Sequence, residues 1–139
     1  NLTSRAHNAL NLWRTLKDSS FTNVKTFGDN DTMIYLSNGE FENVTFDKCF
    51  YGRTQKEIAT SKEFKPEDYT GIAVKSTESK GSVYFKDLVI DKVNKSFALN
   101  GSLDIKVDGF RCGYCNTLVE KKNDKVIINT FCNVCFGSV

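Results

Sequence analysis

The sequence predicts an α+β chain in which an N-terminal amphipathic helix packs on a mainly antiparallel β-sheet and a cysteine-bearing β-hairpin closes the C-terminus. Three observations carry this reading. Apolar residues recur at helical spacing only near the start, Asn-Gly pairs separate alternating apolar runs further on, and four of the five cysteines sit in two Cys-x-x-Cys pairs near the end.

The helix is expected over residues 3–18, where Ala6, Ala9, Leu10, Trp13 and Leu16 fall on one face at three- and four-residue steps. Thr3 or Ser4 supplies a cap. Arg5, His7 and Arg14 occupy the far side, read as a solvated face, with a short basic contact surface as the sharper alternative. From Phe21 onward the texture changes to short β-type runs, expected at 23–27, 32–36, 40–46, 71–75, 82–90, 96–99 and 103–107. Asn38-Gly39 lies between Met33-Ile34-Tyr35-Leu36 and Phe41-Glu42-Asn43-Val44-Thr45-Phe46, and Asn100-Gly101 repeats the arrangement. Both turn residues tolerate positive φ, so two hairpins and an antiparallel sheet are expected. The polar stretch 52–69 holds the single proline, Pro66, and reads as a loop or short helix. No internal repeat stands out. Two units result, an α+β domain over 1–107 and a cysteine module over 108–139.

Composition bounds the function loosely. The chain has 139 residues and a formal net charge of +2, too little for a global nucleic-acid footprint. Eleven Phe, five Tyr and one Trp supply a core at this length without crosslinks. No apolar run reaches the roughly 20 residues a membrane helix needs, and no secretory pattern opens the chain, although it begins at Asn1 and a leader or upstream domain is compatible with that. The bias to Lys (15 against 4 Arg) and Asn (13) fits AT-rich coding, as in a phage, a virus or an AT-rich bacterium.

The strongest motif is Cys112-Gly-Tyr-Cys115, then sixteen residues, then Cys132-Asn-Val-Cys135. Each pair places two thiolates on one side of a tight knuckle, and two knuckles complete a tetrahedral shell. The segments 117–120 and 126–130 around a polar turn at 121–125 read as a hairpin that returns the second knuckle to the first. In this the segment 110–136 resembles the zinc-ribbon family, although neither knuckle carries the family's Pro or its following Gly. The resemblance implies one structural zinc held by Cys112, Cys115, Cys132 and Cys135, with no open position for substrate. A rubredoxin-like iron site uses the same ligands. The rival is a disulfide set in a secreted protein, which five Asn-x-Ser/Thr sequons, at Asn1, Asn30, Asn43, Asn94 and Asn100, would suit. The fifth cysteine, Cys49, lies between aromatics and reads as a small buried hydrophobe.

Catalysis by cysteine or serine ordinarily needs a positioned His, and His7 is the single one. No phosphate loop, dinucleotide fingerprint or His-Glu metal helix is present, and no catalytic residue is assigned. The expected function is a non-enzymatic accessory module that binds a protein partner within a larger, viral or phage assembly, in the cytoplasm, including that of a host cell. The alternative is a nucleic-acid-binding zinc ribbon acting in transcription, replication or packaging, with Lys121, Lys122 and Lys125 on phosphates and Tyr114 or Phe131 stacking on bases. Arg5 and Arg14 would extend that surface. No membrane and no small-molecule substrate is expected.

Overall fold

The computed structural model describes residues 2–4, 8–26, 32–52, 69–131 and 136–137. Among these there is no helix. The described residues form ten strands, β1 (Leu2–Ser4), β2 (Asn8–Thr22), β3 (Val24–Thr26), β4 (Thr32–Asp47), β5 (Phe50–Tyr51), β6 (Ile72–Thr77), β7 (Lys80–Ala98), β8 (Ser102–Glu120), β9 (Lys125–Phe131) and β10 (Phe136–Gly137). Every strand pairing is parallel.

Register defines the architecture. Asn8 sits beside Thr32, Thr15 beside Glu40, Ile72 beside Lys95, Lys80 beside Ser102, and Asp104 beside Lys125, so along these pairings each residue neighbours one 21 to 25 positions further along. Such a constant offset in parallel register means that the chain winds in stacked coils, a β-solenoid, with rungs about 4.8 Å apart. The step between Thr32 and Ile72 is longer and spans residues 53–68, which lie outside the described residues. Each coil has three sides. Residues 8–13, 32–37, 72–77, 95–98 and 117–120 stack on the first, and 15–22, 40–47, 80–86, 102–108 and 125–129 on the second. The third carries 2–4, 24–26, 50–51, 88–93 and 110–115, with 131 and 136–137 on its last rung.

The core is the inside of the coil, filled by columns of like residues. Leu10, Ile34, Val74, Phe97 and Val119 form one column. Ser19, Val44, Val83, Ile105 and Val126 form a second, and Phe21, Phe46, Phe85, Val107 and Ile128 a third. In the last of these the rings stack, with centroids 5.2 Å apart for Phe21 and Phe46 and 4.9 Å for Phe46 and Phe85. Phe97 meets Phe85 edge-on across the interior at 6.0 Å. Parallel stacking places each side chain over its counterpart, so identical shapes pack rung on rung and aromatic offset stacking is reinforced.

This architecture corrects the α+β expectation. The expected helix over 3–18 is, where described, strand: Leu10 pairs with Ile34, Leu12 with Leu36 and Leu16 with Phe41, while Trp13 points outward and is 63% exposed. The three- and four-residue apolar steps arise from a bend, since Arg14 takes φ 70 and the register slips between Trp13 and Thr15. A strand with a corner mimics a helical period. The antiparallel sheet is likewise absent among the described residues. Asn38 does adopt the left-handed conformation (φ 46), but the chain there turns a coil corner, and 32–37 and 40–47 pair with other rungs rather than with each other. Residues 117–120 and 125–129 also lie on different sides, so the expected zinc-ribbon hairpin does not form. β8 runs unbroken from Ser102 to Glu120 through the expected boundary at 107.

An internal repeat, not recognised in the sequence, emerges from the register. Asn43-Val44-Thr45-Phe46-Asp47, Ser82-Val83-Tyr84-Phe85-Lys86, Asp104-Ile105-Lys106-Val107-Asp108 and Lys125-Val126-Ile127-Ile128-Asn129 are successive rungs of the second side. Their common signal is apolar alternation alone, which any strand carries.

The corner between the first and second sides is pinned by buried polar groups. The Ser79 hydroxyl donates to the Leu36 carbonyl at 2.8 Å and accepts from the Gly39 N–H at 3.1 Å, tying two coils together. Asp124, 2% exposed, accepts from the N–H groups of Leu103 (2.8 Å), Gly101 (3.1 Å) and Lys122 (3.3 Å). Gly81, at φ +110, meets a second constraint. A Cβ there would lie 1.9 Å from the Phe41 carbonyl oxygen, beside the register slip between Phe41 and Val44.

Candidate functional site

Alternation along the second side leaves every other residue facing solvent, and the parallel register stacks these outward residues into rows across the rungs. Thr45, Tyr84, Lys106 and Ile127 form one row, and Asp47, Lys86, Asp108 and Asn129 another. The first of these rows and the row of Ser82, Asp104 and Lys125 on its other side flank a groove of about 570 Å³ that crosses four rungs, with Tyr84, Lys106, Lys125 and Ile127 among its walls and the otherwise buried Val44, Val83 and Ile105 between them. Ile127 is 46% exposed, and it and Trp13 are the two exposed large hydrophobic residues among those described.

Tyr84 is held by its neighbours. Its hydroxyl donates to the Asp108 carboxylate, which raises the phenol above its ordinary value; burial and the nearby charges of Asp108, Asp87 and Asp47 act in the same direction. The same hydrogen bond lowers Asp108, helped by the Asn129 amide at 3.0 Å and by Lys106 at 3.6 Å. The Lys106 ammonium also lies 5.6 Å from the centre of the Tyr84 ring. Charges elsewhere on this side are matched between rungs: Lys17 meets Glu42 at 3.2 Å, Lys80 meets Glu40 at 3.1 Å, and Asp104 stands in register with Lys125. Exposed pairs of this kind contribute little stability, yet they leave no row of uncompensated cations on this face.

A second depression, about 440 Å³, follows the corner above Ser79. Asn38, Glu78, Asn100, Lys122 and Asn123 line it.

The cysteines occupy the interior. Cys112 and Cys115 are 1% and 2% exposed. In a straight strand, residues three apart point to opposite faces, so both being buried requires the chain to turn between them. Gly113 makes the turn close: a Cβ there would sit 2.5 Å from the Asp91 carbonyl oxygen of the neighbouring rung. The two thiols hydrogen-bond to one another, and this brings Cys115 down to about 7 against the opposing effect of burial, with the Ser96 hydroxyl adding a smaller contribution. Cys49, also buried, has no such partner thiol among the described residues, and burial pushes it up to about 11. The burial expected for Cys49 is therefore observed.

The remaining expected site residues are scattered. Cys132 and Cys135 lie outside the described residues, as do Arg5 and His7. Among the described residues no group of three or more His, Cys, Asp or Glu side chains is placed to hold a metal, and two of the four expected zinc ligands, Cys132 and Cys135, lie outside them. Lys121 and Lys122 are exposed beyond the end of β8, with Lys122 on the corner depression, whereas Lys125 lines the groove of the second side. Tyr114 packs against Tyr69 at 5.5 Å, and its hydroxyl donates to Asn116 at 2.8 Å. Phe131 stands in register with Phe110 on the third side. Arg14 lies on β2 with its guanidinium 4.9 Å from the Trp13 ring. Those of these residues whose side chains are described, Lys121, Lys122, Lys125, Tyr114 and Arg14, therefore do not gather on a single basic and aromatic surface. Tyr84, Asp108, Ile127 and Asn129, which the sequence reading passed over, do come together, and their signal was a spacing of 21 to 24 residues. No described helix is long and apolar enough to cross a membrane.

Fold and face together define the class as a three-sided parallel β-solenoid with a grooved lateral face. No family model matches the chain, and neither a curated protein nor a solved structure matches it.

Proposed function

We propose that this solenoid is a non-enzymatic binding module that docks a protein partner, within a larger assembly, on its second side. The observation that carries the reading is the groove across four rungs between Tyr84 and Ile127. An aromatic ring, an exposed aliphatic side chain and flanking lysines are the inventory of a protein-docking surface, with apolar anchors inside a polar rim. A nucleic-acid ligand fits this face less well, because phosphate recognition needs a concentrated row of cations and the lysines here alternate with Glu40, Glu42, Asp104 and Asp108.

The test is photocrosslinking in the source cells with a benzophenone amino acid placed at Tyr84 or Ile127, and at Lys75 on the first side as a control. Protein adducts at 84 and 127, absent at 75 and lost when Ile127→Glu is added to the Tyr84 probe, are expected. Nucleic-acid adducts, or equal adducts at all three positions, would overturn the reading.

A further inference from the structure

Of the groups that the docking face does not use, the buried thiol pair is the most sharply built. Cys112 and Cys115 lie on either side of a bend within the third side whose closeness Gly113 permits, with their sulfurs within hydrogen-bonding reach of each other. The Ser96 hydroxyl lies against Cys115, is fully buried and has no nitrogen or oxygen partner among the described residues. Unpartnered buried hydroxyls carry a cost, and this one is aimed at a sulfur.

We propose that Cys112 and Cys115 are a peroxide-oxidised dithiol that closes reversibly to a disulfide across this bend of the solenoid. The Cys115 sulfur attacks one oxygen of hydrogen peroxide; the O–O bond breaks, water leaves, and Cys115 becomes a sulfenic acid. The Ser96 hydroxyl is placed to donate a hydrogen bond to the new oxygen. The Cys112 sulfur then attacks the Cys115 sulfur, the S–O bond breaks and a second water departs. The two thiols lose two electrons and two protons in all, and the peroxide is reduced to two waters. With Cys112 and Cys115 only 1% and 2% exposed, a small oxidant suits the place better than a bulky peptide thiol or disulfide. Cys49 is the internal contrast, buried to the same degree but, among the described residues, without a neighbouring thiol to resolve a sulfenic acid.

Closure has a defined structural readout. Tyr114 sits within the loop and packs on Tyr69, over whose ring the Lys92 ammonium also lies at 5.8 Å. Drawing the two sulfurs to the ~2 Å of a disulfide bond shifts the backbone that carries Tyr114.

The experiment is titration of the reduced full chain with hydrogen peroxide, followed by alkylation, tryptic digestion and mass spectrometry. Cleavage after Arg111 and Lys121 releases residues 112–121 as one peptide holding both cysteines, while Cys132 and Cys135 fall in residues 126–139. The expected result is a 112–121 peptide about 2 Da lighter, restored by dithiothreitol, with Cys49 still alkylated and a changed near-ultraviolet tyrosine signal. Cys112→Ser should leave Cys115 trapped as a sulfenic acid that a dimedone probe labels, and Ser96→Ala should lower that labelling several-fold while the circular dichroism of the folded chain persists. A crosslink between peptides 112–121 and 126–139, or a 112–121 peptide alkylated no differently from Cys49 after peroxide, would overturn the proposal.

Discussion

Replacing Asp124 by alanine tests whether the coil corners are held by buried polar anchors rather than by the apolar columns alone. The carboxylate is 2% exposed and accepts three backbone N–H groups at 2.8, 3.1 and 3.3 Å. The shortest bond, to Leu103, is a strong charge-assisted one, and the longest, to Lys122, is weak. Hydrogen bonds to charged acceptors contribute about 1.5–3 kcal/mol where well formed, and stranded donors add a desolvation cost of their own. Water can reach the Lys122 side of this turn, so the loss should be about 3 kcal/mol rather than the sum of three full bonds. For a chain of this size that corresponds to a fall in Tm of roughly 10 °C. Asp124→Asn keeps one acceptor oxygen and should recover about half. Differential scanning calorimetry gives the magnitude, and hydrogen exchange should show β9 losing protection first, because β9 stacks only on β8 among the described strands. An alanine variant within 1 kcal/mol of the parent, or an asparagine variant no better than alanine, would refute the reasoning.

Three further outcomes follow from the packing and the titrating groups. Phe46→Ala removes a fully buried ring stacked on both sides and should cost about 4 kcal/mol by urea denaturation, whereas Phe46→Leu should cost less than half of that. Asp108 is held below its ordinary value of 3.8, so its interactions favour the folded chain above that pH and fade as the pH falls through the lowered folded value; Tyr84→Phe should move the Asp108 carboxyl titration upward, read by carbon-13 NMR. Tyr84 itself is held above 10.0, so its contribution is present below pH 10 and is lost as the pH rises through the folded value. Cys49, raised to about 11 from 9.0, should react with iodoacetamide about 100-fold more slowly in the folded chain than after denaturation at the same pH.

The strands were largely legible in the sequence, and the way they pair was not. Alternation in 32–36, 40–46, 71–75 and 103–107 marks β-structure because it needs only one buried face, and each of these segments is strand or adjoins one. Whether such strands pair with their sequence neighbours or with the next coil is a long-range choice that alternation does not encode. Asn38-Gly39 illustrates this, since a residue that tolerates φ 46 serves a hairpin and a solenoid corner equally well. Leu10, Leu12 and Leu16 misled for a related reason: a corner at Arg14 shifts the inward phase and imitates a helical step. The Tyr84, Lys106 and Ile127 row could be read only with the coil length in hand. The prominence of the Cys-x-x-Cys pairs drew attention away from it, although Cys112 and Cys115 prove to be interior residues at a bend.

The changing step between rungs also says where this chain tolerates altered length. The offset from β2 to β4 is 24 residues at Trp13 and 25 at Thr15, and from β4 to β7 it drops from 40 at Phe41 to 39 at Val44. One residue is gained at the corner by Arg14 and one is lost at the kink by Asn43 within the second side, and the inward columns resume in phase beyond each. The coil therefore behaves like a reading frame that resets at such points of positive φ. A residue deleted within 83–86 turns the rest of that flat side inside out, with Lys86 in the place of Phe85. The same deletion at a bend is absorbed, so a lineage of such chains would be expected to differ in the lengths of its bends while keeping the lengths of its flat sides.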